Sequence, residues 1–151
     1  MASEPLAAPT ASRPSWRVTS RILQNGDGIR AAFRTSQFAQ VEFFGVGSAQ
    51  QLVAQGTRAD LLLGNNVLAH VPDINDFVAG LAVLLKPDGV VTMEFPHLLE
   101  LIRHNQFDTI YHEHYSYLSL LTVEQVFARH GLTVFDVQQL TTHGGSLRIF
   151  V

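Results

Sequence analysis

No cysteine occurs among the 151 residues. This excludes disulfides, thiol nucleophiles and zinc sites built on thiolates, and it agrees with a reducing compartment. Basic charge is also scarce. There is a single lysine, the arginines are scattered, and the formal net charge is −3 with histidine neutral. Nucleic-acid binding rests on clustered Lys and Arg that displace counterions from phosphate, so no nucleic-acid partner is expected. No apolar run reaches the roughly 20 residues of a membrane span. The opening Met1-Ala2-Ser3-Glu4-Pro5 lacks the basic start and apolar middle of a signal peptide. These absences predict a cytoplasmic protein with no membrane partner.

What is present is apolar. Hydrophobic residues make up 46% of the chain and charged residues 15%, and ten phenylalanines must find a core or a partner. The length suits one domain, but so little charge fits a piece of a larger buried fold equally well. Residues 1–15 are rich in Ala, Pro and Ser without a period and read as poorly ordered. Residues 16–38 are atypical. Ile22-Leu23 suits a strand opening, Asn25-Gly26-Asp27-Gly28 is turn chemistry, and Ile29 to Phe33 suits a short helix. The expected division is an atypical segment over 1–38 and a domain over 39–151.

From residue 41 the pattern sharpens. Residues 41–44 read as a strand ending at Gly45, and Ser48 as the N-cap of a helix carrying Leu52 and Val53. Residues 59–63 read as a strand buried on both faces, turned by Gly64-Asn65-Asn66. Asp73 caps a helix whose apolar residues Ile74, Phe77, Val78, Leu81, Leu84 and Leu85 share one face. Lys86-Pro87-Asp88-Gly89 should stop it, leading to a strand over 90–95 closed by Pro96. Residues 98–104 look helical. Thr122-Val123-Glu124-Gln125 matches a capping box for a helix ending at Gly131. Strands over 132–137 and 147–151 follow, the last after the turn His143-Gly144-Gly145-Ser146. The alternation predicts an open α/β sheet with helices on both faces. The chain ends inside an apolar strand, as a clipped domain would.

In such a sheet, ligands sit beyond the carboxyl ends of the strands. Three polar groups fall there: Gly64 to His70, with Asn65, Asn66 and His70; Glu94-Phe95-Pro96-His97; and the loop Asp108-Thr109-Ile110-Tyr111-His112-Glu113-His114-Tyr115. In that loop a histidine can take a proton near neutral pH, a neighbouring Glu can orient it, and a Tyr hydroxyl can bond an oxygen that becomes negative. The same loop is also readable as a polar surface with aromatic anchors. A metal set of His112, Glu113 and His114, with His70 and His97 near, is the weaker alternative, since the spacing is not that of a helical ligand pair. Asn65-Asn66 is otherwise a side-chain-capped turn. Glu94, at a strand end, is otherwise solvated or paired. His104 and His130 near helix ends suit the helix dipole.

Five segments in register resemble the S-adenosylmethionine-dependent C-methyltransferases of deoxysugar biosynthesis. They are Val41-Glu42-Phe43-Phe44-Gly45, Gly64 to Asp73, Glu94-Phe95-Pro96-His97, Phe107 to His114, and Thr142-His143-Gly144-Gly145-Ser146-Leu147-Arg148. The resemblance implies a Rossmann-like class I methyltransferase sheet lacking its first strands, truncated at both ends. It implies S-adenosyl-L-methionine as cofactor and a nucleotide-linked 4-keto-deoxysugar as substrate, methylated alpha to the ketone through an enolate. His114 would be the base, assisted by Glu113 and Tyr111, with His70 opposite. Gly45, Asn65 and Asn66 would lie at the cofactor, and Glu94 and His97 at the substrate. The family's zinc-binding Cys domain has no counterpart here, so no metal is expected. The alternative is a non-catalytic methyltransferase remnant or interaction protein, with a partner covering an exposed sheet edge.

Overall fold

A computed structural model describes residues 43–151. The expectations for residues 1–42, including the turn at Asn25-Gly26-Asp27-Gly28, lie outside the described residues. The elements are α1 (Val46–Ala54), β1 (Ala59–Asn65), α2 (Ile74–Leu84), β2 (Leu85–Pro96), α3 (Leu98–Arg103), α4 (Leu120–Arg129), β3 (Asp136–Leu140) and β4 (Ser146–Phe150). Single 3-10 turns cover Leu68–His70, Phe107–Thr109 and Thr142–Gly144. Among the described residues, no helix is long and apolar enough to cross a membrane.

The sheet order is β1-β2-β4-β3. β1 and β2 are parallel, while β4 is antiparallel to both β2 and β3. Strand alternation sorts the side chains. Val91, Met93, Phe95, Leu147 and Ile149 point to one face and are buried with Leu52 of α1, Phe77, Val78 and Leu81 of α2, and Val123 and Phe127 of α4. Burying a side chain of this kind contributes about 1.5–3 kcal/mol. The opposite face carries Leu61 and Leu63, which are 51% and 71% exposed. The expected burial of β1 on both faces therefore fails among the described residues. A run of leucines reports apolarity, not what covers it.

Asp73 caps α2 as expected. Its Oδ1 accepts from the backbone N–H groups of Asn75 and Asp76, each at 3.0 Å, a bond set that contributes about 1 kcal/mol. Gly131 follows α4 at φ 73°, the left-handed conformation that ends a helix. Other boundaries differ. Residues 43–44 form no strand, and Phe44 is buried in the core instead. α1 starts after Gly45, where the Ser48 hydroxyl accepts from Gly45 N–H at 3.0 Å and donates to Gly45 O at 3.1 Å, so Ser48 lies inside the first turn. α4 is capped by Ser119, whose hydroxyl accepts from Thr122 N–H at 3.2 Å, and not by Thr122. The strand expected over 132–137 runs from Asp136 to Leu140.

Lys86-Pro87-Asp88-Gly89 does not separate helix from strand. It is a bulge inside β2: Ala59 pairs with Leu85, and the next register point is Leu61 with Val90. Lys86 Nζ closes the bulge on the Asp60 carboxylate at 2.8 Å.

Candidate functional site

The carboxyl ends of β1 and β2 open onto a rim where two polar clusters form. The first is built by docking the 104–119 loop on the turn after β1. The Ala69 carbonyl accepts from the N–H groups of Tyr115 at 2.8 Å and Ser116 at 3.2 Å. This brings the rings of His70 and His114 to 4.7 Å, and Tyr111 stacks at 4.2 Å from His114.

The hydrogen bonds define which ring nitrogens carry protons. His114 Nδ1 donates to the Thr109 carbonyl at 2.8 Å, so in the neutral ring Nε2 is bare. The Tyr111 hydroxyl donates to that Nε2 at 3.1 Å. His70 Nδ1 likewise donates to the Glu113 carbonyl at 3.0 Å and leaves its Nε2 bare. Orientation of the His114 ring, expected from the Glu113 side chain, is therefore supplied by the Thr109 backbone. Glu113 contributes its carbonyl, to His70, and its side chain is exposed. A shallow crevice beside the half-buried His114 is lined by Ala69, Leu98, Leu101, Thr109 and Tyr117. Among the described residues no group of three or more His, Asp or Glu side chains is arranged to hold a metal ion.

The second cluster centres on Glu94, which is buried. Its Oε1 accepts from the Thr142 hydroxyl at 3.0 Å and its Oε2 from Arg148 at 2.9 Å. Both carboxylate oxygens are therefore engaged inside the protein, where a substrate contact was expected. β2 and β4 make this pairing automatic, since Glu94 and Arg148 are register partners.

His97 lies between the clusters. Its backbone N–H donates to Gly145 O at 3.0 Å, and its buried Nδ1 has no partner. Burial pushes its pKa down; Glu100 opposes this and Arg103 reinforces it.

Asn65 ends β1 exposed at the rim. Asn66 follows at φ 52°, with its N–H on Glu94 O at 2.8 Å. Its Nδ2 contacts His143 Nδ1 at 3.5 Å, while its buried Oδ1 has no partner. Gly45, expected at the cofactor, makes its close approach elsewhere. A Cβ on Gly45 would run into the Asp76 carboxylate, and one on Gly80 would lie 2.6 Å from the Gly45 carbonyl carbon. These two glycines let α1 start against α2.

The structure thus joins His70, Tyr111 and His114, and separately joins Glu94 to Asn66 through backbone. Thr109, Thr142, His143 and Arg148 were not singled out as site residues. For the last three the signal was the segment Thr142 to Arg148; Thr109 lies within the segment Phe107 to His114, but nothing in the sequence marks its backbone carbonyl as the group that holds His114.

The architecture is the Rossmann-like sheet of class I methyltransferases. It aligns with magnesium protoporphyrin IX methyltransferase from Synechocystis PCC 6803, solved with bound SAH, at a TM-score of 0.50 and 14% identity, covering 79% of this chain and 53% of that one. The chain belongs to the methyltransferase-domain family, which it matches over residues 9–137. It is also 44% identical over 101 residues to C-methyltransferase NovU of Streptomyces niveus, a stretch that covers 67% of this chain and 24% of NovU. The chain thus spans about a quarter of that curated relative.

Proposed function

We propose that this chain carries the base of an S-adenosylmethionine-dependent C-methyltransferase acting alpha to the ketone of a nucleotide-linked 4-keto-deoxysugar. The observation that supports this most is His114, held by the Thr109 carbonyl so that a bare Nε2 faces the Tyr111 hydroxyl. A proton alpha to a ketone is acidic enough for a positioned imidazole. In the proposed reaction, His114 Nε2 accepts that proton as the C–H bond breaks. The bonding pair passes into an enolate, and charge builds on the former carbonyl oxygen. The Tyr111 O–H, which occupies Nε2 in the free protein, turns to that oxygen and so both frees the base and stabilises the oxyanion. The His70 ring lies 4.7 Å from that of His114, with its Nδ1 on the Glu113 carbonyl, and completes the polar wall of the same rim.

The residues at the end of β1 fit the cofactor: Asn65 is exposed at the rim, and Asn66 Oδ1 is an acceptor without a donor. These two would hold it. When bound, S-adenosylmethionine supplies the electrophilic methyl group that the enolate carbon takes up.

The base step can be tested without the methyl donor. The chain is incubated with a 4-keto-deoxysugar nucleotide in deuterated buffer, and incorporation at the alpha carbon is read by mass spectrometry. Faster exchange than in buffer alone is expected, and its loss in His114→Ala. Exchange at the buffer rate removes the proposal. The exposed Leu61 and Leu63 support a second reading, a methyltransferase-derived interaction module with a partner on that face. Absent exchange together with absent S-adenosylhomocysteine binding favours it.

A further inference from the structure

His143 occupies a conformation that needs explaining. Its φ is 51°, in the left-handed region that strains a non-glycine residue, and Gly144 and Gly145 follow at 74° and 120°. The surroundings hold this turn from three sides. The Thr142 hydroxyl is on Glu94 at 3.0 Å, Gln106 Nε2 donates to Gly144 O at 2.7 Å, and Gly145 O accepts from His97 N–H at 3.0 Å. The turn is closed internally by Gly145 N–H on Thr142 O at 2.9 Å. So fastened, it presents the His143 ring to Asn66, 77 residues away in sequence and itself left-handed at φ 52°.

We infer that His143 is a positioning residue: its Nδ1 holds the Asn66 amide so that the amide oxygen is kept for a hydrogen-bond donor on the bound ligand. The amide nitrogen is only a donor, so His143 Nδ1 accepts and the neutral ring carries its proton on Nε2. Asn66 Oδ1 is left buried without a partner, a cost that a donor on a ligand removes. A ligand with N–H or O–H groups, such as the ammonium or ribose hydroxyls of an S-adenosyl compound, has the required chemistry. The inference rests on the cofactor reading above, with S-adenosylhomocysteine as the probe.

Three variants separate positioning from backbone relief. His143→Asn tolerates the left-handed backbone and retains an acceptor near the Nδ1 position. His143→Gly relieves the backbone and removes the acceptor; His143→Ala removes the acceptor and keeps the strain. Calorimetric titration with S-adenosylhomocysteine is expected to give His143→Asn within about 3-fold of the parent chain, with His143→Gly and His143→Ala weakened about 10-fold or more. Equal affinity in all four chains overturns the inference. So does affinity that simply follows the thermal midpoint, with His143→Asn as weak as His143→Ala. If the parent chain itself binds nothing at millimolar ligand, the cofactor reading fails, and nitrogen NMR of the free protein still tests the contact. Proton on Nε2 of His143, with an unprotonated Nδ1, is expected; proton on Nδ1 overturns the positioning role.

Discussion

Both carboxylate oxygens of Glu94 are held by protein donors, whereas His114 and His70 each keep one ring nitrogen without a proton, that of His114 met only by the Tyr111 hydroxyl. The difference follows from what carries each cluster. Glu94 and Arg148 sit opposite one another on paired strands, so the ladder that makes the sheet also makes the ion pair. His70, Tyr111 and His114 sit on a short turn and a loop, and their rings are steered by the backbone carbonyls of Thr109 and Glu113. A carbonyl directs a ring without supplying charge. In the proposed function the Glu94 cluster lends rigidity and the His114 cluster takes the proton, and the strained turn at His143 links the Glu94 cluster to Asn66.

Four measurements sharpen or break this contrast. The largest effect is expected for His114→Ala, which should slow alpha-proton exchange by about 10²–10⁴-fold while shifting the urea midpoint little. A large fall in stability would make His114 a structural residue. Tyr111→Phe comes next: losing one oxyanion donor should cut methyl transfer by about 10²–10³-fold, again with little change in folding. Unchanged transfer would remove the hydroxyl from the mechanism.

Glu94→Gln should act in the opposite sense, on stability first. It leaves the Arg148 guanidinium without its charged partner and should cost about 1–3 kcal/mol by urea unfolding. A wild-type midpoint would dissolve the distinction between the clusters. The smallest effect concerns His97. Burial lowers its pKa in the folded state from an ordinary 6.5, so below that value the unfolded chain binds the proton more readily. Its contribution to stability is complete above pH 6.5. It declines as pH falls through 6.5 and levels off once the folded-state pKa is passed. Thermal midpoints between pH 8 and 5, in the parent chain and His97→Gln, check this; identical slopes in the two would remove His97 as a cause.

The amino-acid sequence by itself determined the local structure wherever one residue's chemistry suffices. Asp73 before an apolar helical stripe specifies α2, and Gly131 specifies where α4 stops, because caps and stops are satisfied within a turn. It also determined the family likeness and the short list of rim residues. Only the tertiary structure decided the rest. Lys86-Pro87-Asp88-Gly89 reads locally as a stop, yet pairing with β1 absorbs it as a bulge. Leu61 and Leu63 read as buried, yet burial depends on what lies opposite. Glu94 was visible as an acid at a strand end, but that Arg148 takes it up depends on β4 running antiparallel beside it. Which nitrogen of His114 is bare depends on a carbonyl five residues earlier, and main-chain carbonyls, identical at every position, carry no sequence signal until the chain is folded.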